Sequence, residues 1–532
     1  MHLSQDGQPV HGLVKTVLQS SAGTVLKLLL GLFVVIRLAT RALRSWRRRR
    51  LARENFCEPI TRVPQRDPIL GIDILQAELE KVERQTYLES FRDRYDRYGR
   101  TWAYNTMNKL TINTIEPENI EYVLKTGYHC FDLGQNRMDV IEPSIEAGLL
   151  TLNGATWHNA RKMTQPGFNR KLMHRVPFET YFQNFIRHIP EDVTTPVDLA
   201  PLFGRFTLDS SWDLIFGKAI DALGFPTGSQ QAVEVEDALS CILARTYDCM
   251  TRGHMAVWWP RKGHRDGLKK MHDMIDREIS EALNRNASSS TEDTQCMIDL
   301  FTSAQAQEKF NAEHSGGTET LKRMIRVQLS HIVLAGRDTT AILLSNLFLE
   351  LSKNPRVWQK LVGEVAPLEG QLPIVSKLGS FRYLRHCINE ALRLHPPAPL
   401  NNRRATKDVV LPRGGGPQGD SPILVREGDE VTFHLHTLNR REEYFGPDVD
   451  EFVPERWEHI NPDWSFVPFS AGRRTCIGRQ FALDEASYVT VRLLQTFEEV
   501  NQHGNRPWVE ELRILASNSN GTVVTMKRKA II

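Results

Sequence analysis

A cysteine placed just ahead of a helix, in a loop punctuated by glycines, is the residue of this sequence best placed to do chemistry. The stretch reads Phe469-Ser-Ala-Gly472-Arg-Arg474-Thr-Cys476-Ile-Gly478 and feeds an apolar helical pattern that begins near Gln480. Gly472 and Gly478 permit backbone geometry and close approach that a side chain blocks. Unpaired N–H groups and the dipole at a helix N-terminus favour the thiolate, which is the metal-binding form of cysteine. Cys476 is therefore the expected metal ligand, with Arg474 supplying a cation two residues away. A lone buried cysteine is more often a small hydrophobe; five fixed positions within ten residues argue against that reading here.

A second constellation lies upstream. Thr320–Ser352 reads as a 33-residue helix centred on Ala335-Gly-Arg-Asp338-Thr339-Thr340. Small residues there leave open space beside the helix. Thr339 follows Ala335 by four, so its hydroxyl can bond that carbonyl and bend the helix. Asp338 places an acid beside the groove so opened. The blander alternative is a core helix with a packing glycine. Glu390 and Arg393 share a face of a helix that stops at Pro396, where a surface ion pair is the bland alternative. Trp157 and Arg161, and Arg403 with its neighbour Arg404, are further candidates that are weak when taken alone.

Together these motifs resemble the cytochrome P450 family, in the family's order: Trp157, Thr339, Glu390, Arg456, Cys476. The resemblance covers about residues 60–532. It implies a mainly α fold with small β-sheets, a single catalytic domain behind an N-terminal transmembrane helix. It implies haem b, with Cys476 as the axial ligand to iron and Phe469 and Arg474 in the haem-binding loop. A thiolate ligand pushes electron density onto haem iron and favours O–O cleavage. Trp157, Arg161 and Arg474 correspond to residues that meet haem propionates, and so does either Arg403 or Arg404, with Arg403 preferred. Asp338 and Thr339 correspond to the oxygen-activation motif. Glu390, Arg393 and the Arg456 of Phe452-Val-Pro-Glu-Arg-Trp457 correspond to a buried structural pair completed from downstream.

The elements that must position these residues are legible in outline. Charged, amphipathic Glu78–Tyr98 predicts a helix, and Thr101–Asn105 and Leu110–Ile115 predict strands. Helical patterning runs over Trp157–Met255, His264–Arg285, Val357–Val365 and Phe381–Leu394, with exposed breaks at Asn284–Thr294 and Ser315–Gly317. Pro- and Gly-rich Pro396–Val431 predicts short strands. Residues 1–53 hold ten Lys or Arg and one acid, whereas the whole chain is only +3, so the remainder is net acidic. Basic character so localised points to a membrane surface and away from nucleic acid. Thr16–Ile36 has twelve Leu, Ile, Val or Phe among 21 residues. These contribute about 5 kcal/mol toward insertion, against about 3 kcal/mol for one central lysine, Lys27. Eight arginines follow in Arg37–Arg53, which keeps the body on the cytosolic side. The alternative is an amphipathic helix lying on the membrane surface. The expected division is therefore an anchor with its basic flank over 1–53, a Pro-rich linker over 54–69, and a haem-thiolate domain over 70–532. Seven widely spaced cysteines suggest neither a zinc site nor a disulfide framework.

Two segments, Leu411–Ile423 and Arg393–Asn402, resemble one branch in particular, the fungal n-alkane and fatty-acid hydroxylases, and Cys57–Pro59 after the anchor is similar too. The branch implies insertion of one oxygen atom from O2 into a lipophilic substrate, by hydroxylation of a long aliphatic chain. It implies electrons from NADPH through a reductase, and a single-pass location in the endoplasmic reticulum. Departures in GRRTCIGRQ and a polar Leu515–Gly521 turn leave open a tailoring oxidase of a fungal secondary-metabolite pathway. A haem-thiolate isomerase or sensor working without a reductase is the alternative of another class.

Overall fold

The structure is a computed structural model that describes residues 10–106, 109–252, 256, 261–286, 295–303, 306–308 and 317–530. Most of the Asn284–Thr294 and Ser315–Gly317 breaks lies outside the described residues. Helices dominate, and four small sheets sit around them. The largest sheet runs, in spatial order, Thr61–Arg62, Thr101–Thr106, Lys109–Thr114, Glu430–His434, Leu400–Ala405 and Phe131–Asp132.

The helix Gly317–Lys353 passes through the middle of the larger hydrophobic cluster. Val327–Leu334 and, but for the half-buried Ile342, Thr340–Ser352 are buried on every side, which is the pattern of a helix running through a core. By length and composition the helix is also apolar enough to cross a membrane, but most of that window is buried inside the protein. Burial is interrupted between Leu334 and Thr340: the five residues Ala335–Thr339 keep partial exposure. A second cluster packs Trp102, Ile112 and Phe433 of the six-stranded sheet against Phe91 and Tyr95.

Several boundaries differ from the sequence expectation. Glu78–Tyr98 is divided into Ile72–Glu83 and Tyr87–Tyr98. Gln85 between them adopts a left-handed φ of 57°. Gln85 is the C′ residue that ends the first helix, with Thr86 N donating back to Lys81 O at 2.9 Å, and the Glu510 carboxylate, distant in sequence, accepts from Leu88 N at 2.9 Å and caps the second helix. The region Trp157–Met255 is likewise divided, with helices Gly154–Thr164, Phe178–Ile186, Leu199–Phe216 and Gln230–Arg252. Pro166, Pro177 and Pro196 fall in its breaks.

Val10–Glu54 is one continuous helix, so the apolar stretch and its arginine-rich flank form a single rod. Its far end does not hang free. Arg48 pairs with Asp408 at 2.9 Å. The chain that follows is bonded to the body throughout 58–65. Glu58 N donates to Pro422 O at 2.9 Å, Gly416 N to Pro59 O at 3.0 Å and Val63 N to Ala103 O at 2.9 Å. Much of the expected Pro-rich linker is thus an edge of the sheet structure. The glycine run explains how: a Cβ on Gly415 would stand 2.8 Å from Glu58 O, and one on Gly416 2.0 Å from the Glu58 carboxylate.

Candidate active site around Cys476

Cys476 sits between a tight turn and the N-terminus of the helix Arg479–Thr496. Its N–H donates to Phe469 O at 2.9 Å, which closes the loop. Gly472 is obligatory here: its φ is +66°, and a Cβ would lie 1.9 Å from Leu124 O. Gly478 is not required in the same sense. Its φ is −87°, and a Cβ would meet only Phe168 at 3.5 Å, an ordinary contact.

The sulfur keeps accessible surface, yet protein atoms crowd it and burial pushes the thiol up. The two observations agree if its free surface faces a hollow inside the protein and not the outer surface. Opposing the burial are the N–H groups of Gly478 and Arg479 and the guanidinium groups of Arg161 and Arg479. These are the helix-terminal donors and cations that hold a thiolate.

Four arginines gather beside it. Arg403 is 4% exposed. Burial, then the neighbouring charges of Arg137 and Arg474, push it down to about 9. Arg137 is lowered by burial and by Arg474, with the Glu430 carboxylate opposing, and Arg474 by burial and, more weakly, by Arg161, with Tyr128 and Asp132 opposing. Arg474 lies 4.2 Å over the buried Trp157 ring and Arg161 5.8 Å over it. Among the described residues none of these four arginines forms an ion pair with a carboxylate. Buried like charges that depress one another need an anion. A haem carrying two propionates, ligated by Cys476, fits this site. Arg404 points elsewhere, 3.6 Å from Asp132. Adjacent strand residues face opposite sides, which settles which of the pair joins the cluster. Sequence reasoning missed Arg137, because no motif surrounds it.

On the central helix the hydroxyl bond expected at Thr339 is present. Thr339 Oγ1 donates to Ala335 O at 2.8 Å. Asp338 Oδ1 accepts from Arg337 at 2.7 Å, whereas its buried Oδ2 has no protein partner. Burial raises the Asp338 carboxyl, with Arg337 and then Arg513 opposing. Gly336 also packs: a Cβ there would stand 3.1 Å from Ser211 Cβ, so the packing-glycine reading holds in addition. A cavity of about 270 Å3 lies beside Asp338, lined also by Arg513, Leu515, Ser517 and Asn518. The polar Leu515–Gly521 segment owes part of its polarity to its own turn: Asn518 Oδ1 accepts from Val509 N and Asn520 N at 3.0 and 3.2 Å.

Glu390, Arg393 and Arg456 form a buried knot. Arg393 makes two 2.9 Å bonds to Glu390, Arg456 adds one of 2.8 Å and Trp457 Nε1 one of 2.9 Å. Glu390 and Arg393 are fully buried. A buried pair of this kind survives only with its remaining donors satisfied. Arg393 completes its set with Asn439 O at 2.9 Å, Val449 O at 2.6 Å and Glu451 O at 3.0 Å.

A mainly helical body that sets a cysteine at a helix N-terminus, with Arg161 acting on it and on Arg474, and Arg474 on Arg137 and Arg403, fits a class, the haem-thiolate proteins. Within it the chain belongs to the cytochrome P450 family, whose model matches residues 63–526. It is 35% identical over 92% of its length, and 87% of the relative's, to the cytochrome P450 monooxygenase himC of Aspergillus japonicus. It is 31% identical to the cytochrome P450 monooxygenase FPY7 of Fusarium mangiferae, over 94% of this chain and 95% of that one. To cytochrome P450 52A5 of Candida maltosa it is 37% identical, over 76% of this chain and 78% of that one. The protein is a P450 monooxygenase with fungal relatives, and membership implies haem held by a cysteine thiolate.

Proposed function

We propose that this monooxygenase hydroxylates a long aliphatic chain, drawing electrons from NADPH through a reductase, while Val10–Glu54 anchors it in the endoplasmic reticulum with its body in the cytosol. The observation that carries oxygen activation is Asp338: a buried carboxyl held by Arg337 on one oxygen and unpartnered on the other, next to the Thr339 hydroxyl in the half-buried stretch Ala335–Thr339 of the central helix. An isomerase or sensor has no need of that pair. Bound haem would supply the redox chemistry that activates O2. The chain's own part is to ligate it through Cys476, to neutralise its propionates through Arg137, Arg161, Arg403 and Arg474, and to deliver protons through Asp338 and Thr339.

The aliphatic substrate is supported by the resemblance of Leu411–Ile423 and Arg393–Asn402 to the alkane and fatty-acid branch. The anchor is supported by the helix itself: Val25, Leu28–Leu30, Leu32–Ile36 and Leu38 are all largely exposed, and arginines follow. A side-chain sheath of that kind suits lipid. The departures in the Cys476 loop favour, as a second reading, a secondary-metabolite tailoring oxidase.

A binding screen by haem Soret shift, using alkanes, fatty acids and natural-product precursors, tests the substrate. Shifts with precursors alone would replace the first reading by the second. Thr339→Ala tests the proton route. A general acid–base partner is worth about 10²–10⁴ in rate, so NADPH consumption should pass largely to hydrogen peroxide while haem and substrate binding persist. Unchanged coupling would place the proton route elsewhere.

A further inference from the structure

Residues Glu146–Leu152 connect the helix Gln135–Ile145 to the loop ahead of the helix that carries Trp157. The segment curls on itself, with Thr151 N and Leu152 N both donating to Gly148 O at 2.9 Å. Glu146 sits at φ 66°, a conformation that a non-glycine residue adopts only when its surroundings impose it.

Those surroundings come chiefly from the central helix: Arg323 binds the Glu146 carboxylate at 2.9 Å, and two buried side chains hold the backbone. Gln328 Oε1 accepts from Leu149 N at 3.0 Å. Leu150 N lies 3.3 Å from His331 Nδ1, and His331 Nε2 lies 3.1 Å from Glu146 O. A backbone N–H can only donate and a carbonyl can only accept, so the ring must be neutral with its proton on Nε2. Burial pushes His331 down to about 4, which keeps it in that form at ordinary pH. The backbone also lies directly on the ring: a Cβ on Gly148 would stand 2.6 Å from the imidazole. Gln328 and His331 are 5% and 1% exposed, three residues apart on one face of an apolar helix. Polar groups that deep are costly unless bonded, and the segment supplies their partners.

The far end of the segment is held from the other side of the site. Arg474, two residues before Cys476, donates to Leu152 O at 2.9 Å and to Asn153 Oδ1 at 3.2 Å. His331 lies one helical turn before Ala335 and two before Thr339. The segment is thus a strap strung from the oxygen-activation helix to the thiolate loop, and it carries the half-buried Leu149, Leu150 and Leu152 between them. We infer that Gln328 and His331 are positioning residues for this strap, and that through it they set the apolar wall against which a substrate lies beside the haem. Neither touches the reacting atoms. Their effect falls on how the distal part of a ligand is held, not on haem ligation or proton delivery.

The test uses the full-length holoprotein and two probes that ligate haem iron and shift the Soret band, imidazole and 1-dodecylimidazole. The ratio of their dissociation constants reports contacts beyond the iron. His331→Ala and Gln328→Ala should each weaken 1-dodecylimidazole by about tenfold, the scale of one or two lost buried hydrogen bonds, and leave imidazole within about twofold. Gly148→Ala, which displaces the ring, should follow His331→Ala. His331→Gln, still able to donate to Glu146 O and accept from Leu150 N, should recover most of the loss. An unchanged ratio in His331→Ala and Gln328→Ala overturns the inference. So does parallel weakening of both probes, which marks general damage to the haem site. If His331→Ala does not retain haem, Gln328→Ala alone decides. Both probes bind through iron whatever the natural substrate, so the aliphatic reading can fail without touching this result.

Discussion

Arg403 and Arg404 are neighbours of identical chemistry with opposite surroundings, so they make a sharp test of the site. Arg403 is buried among cations, and Arg404 is a third exposed and pairs with Asp132. Arg403→Leu should therefore lower haem retention, read as the ratio of Soret to protein absorbance after dialysis. Arg404→Leu should leave it near wild type, since a partly exposed pair is worth about 1 kcal/mol or less. Equal retention in the two variants would remove Arg403 from the propionate site. Glu485 is a second telling residue. Fully buried, it accepts from Ser210, and burial pushes its carboxyl up to about 8 against hydrogen bonds from Ser210 and Thr340. A raised carboxyl binds its proton more tightly in the folded chain than in the unfolded one. Stability is then greatest below the ordinary carboxylate range and falls as pH rises toward about 8, by up to about 1.4 kcal/mol per pH unit. Glu485→Gln should flatten that part of the stability–pH curve in urea unfolding of the holoprotein. An undiminished slope would assign the dependence to other groups.

At the scale of elements, the N-terminal rod and the glycine-rich hairpin act as one piece. The hairpin strands Val409–Gly415 and Ser421–Val425 receive the chain at Glu58–Ile60, and Asp408 receives Arg48. Deleting residues 1–53 removes that ion pair but spares the strand at Thr61–Arg62. The product should leave the membrane and keep its haem, checked by fractionation with absorbance. Deleting residues 1–66 also removes the backbone pairing with Ala103 and Pro422, along with the Gln65 bonds to Asn105 at 2.7 and 2.8 Å. Its melting temperature should drop by several degrees below the shorter deletion, since each lost bond is worth about 1 kcal/mol. Equal melting of the two products would mean that 54–66 is an independent spacer after all.

Across the whole molecule, the haem-side surface carries the electron donor's expected footing. Arg473 and Arg479 are exposed beside the Cys476 loop, over Tyr128 and Phe469 at 5.8 Å each. Rim charges of this kind govern encounter rate and are screened by salt. Reversing Arg473 to Glu, which leaves the Arg479 guanidinium beside Cys476 in place, should slow the first electron transfer from the reductase and flatten its salt dependence in stopped-flow measurements. An unaltered rate would move the docking face elsewhere. The sequence alone determined the loop around Cys476, the Thr339–Ala335 bond, the Glu390–Arg393 pair and the long central helix. Each depends on local spacing: i to i+4 hydroxyl-to-carbonyl reach, i to i+3 side-chain pairing, or a cysteine at a helix start. Only the tertiary structure decided what depends on partners far along the chain. It chose Arg403 over Arg404 and added Arg137. It capped the second half of Glu78–Tyr98 with Glu510, and it turned much of a Pro-rich linker into a sheet edge. Those outcomes are set by which charges and backbone groups meet across hundreds of residues, and a local pattern carries no information about such meetings.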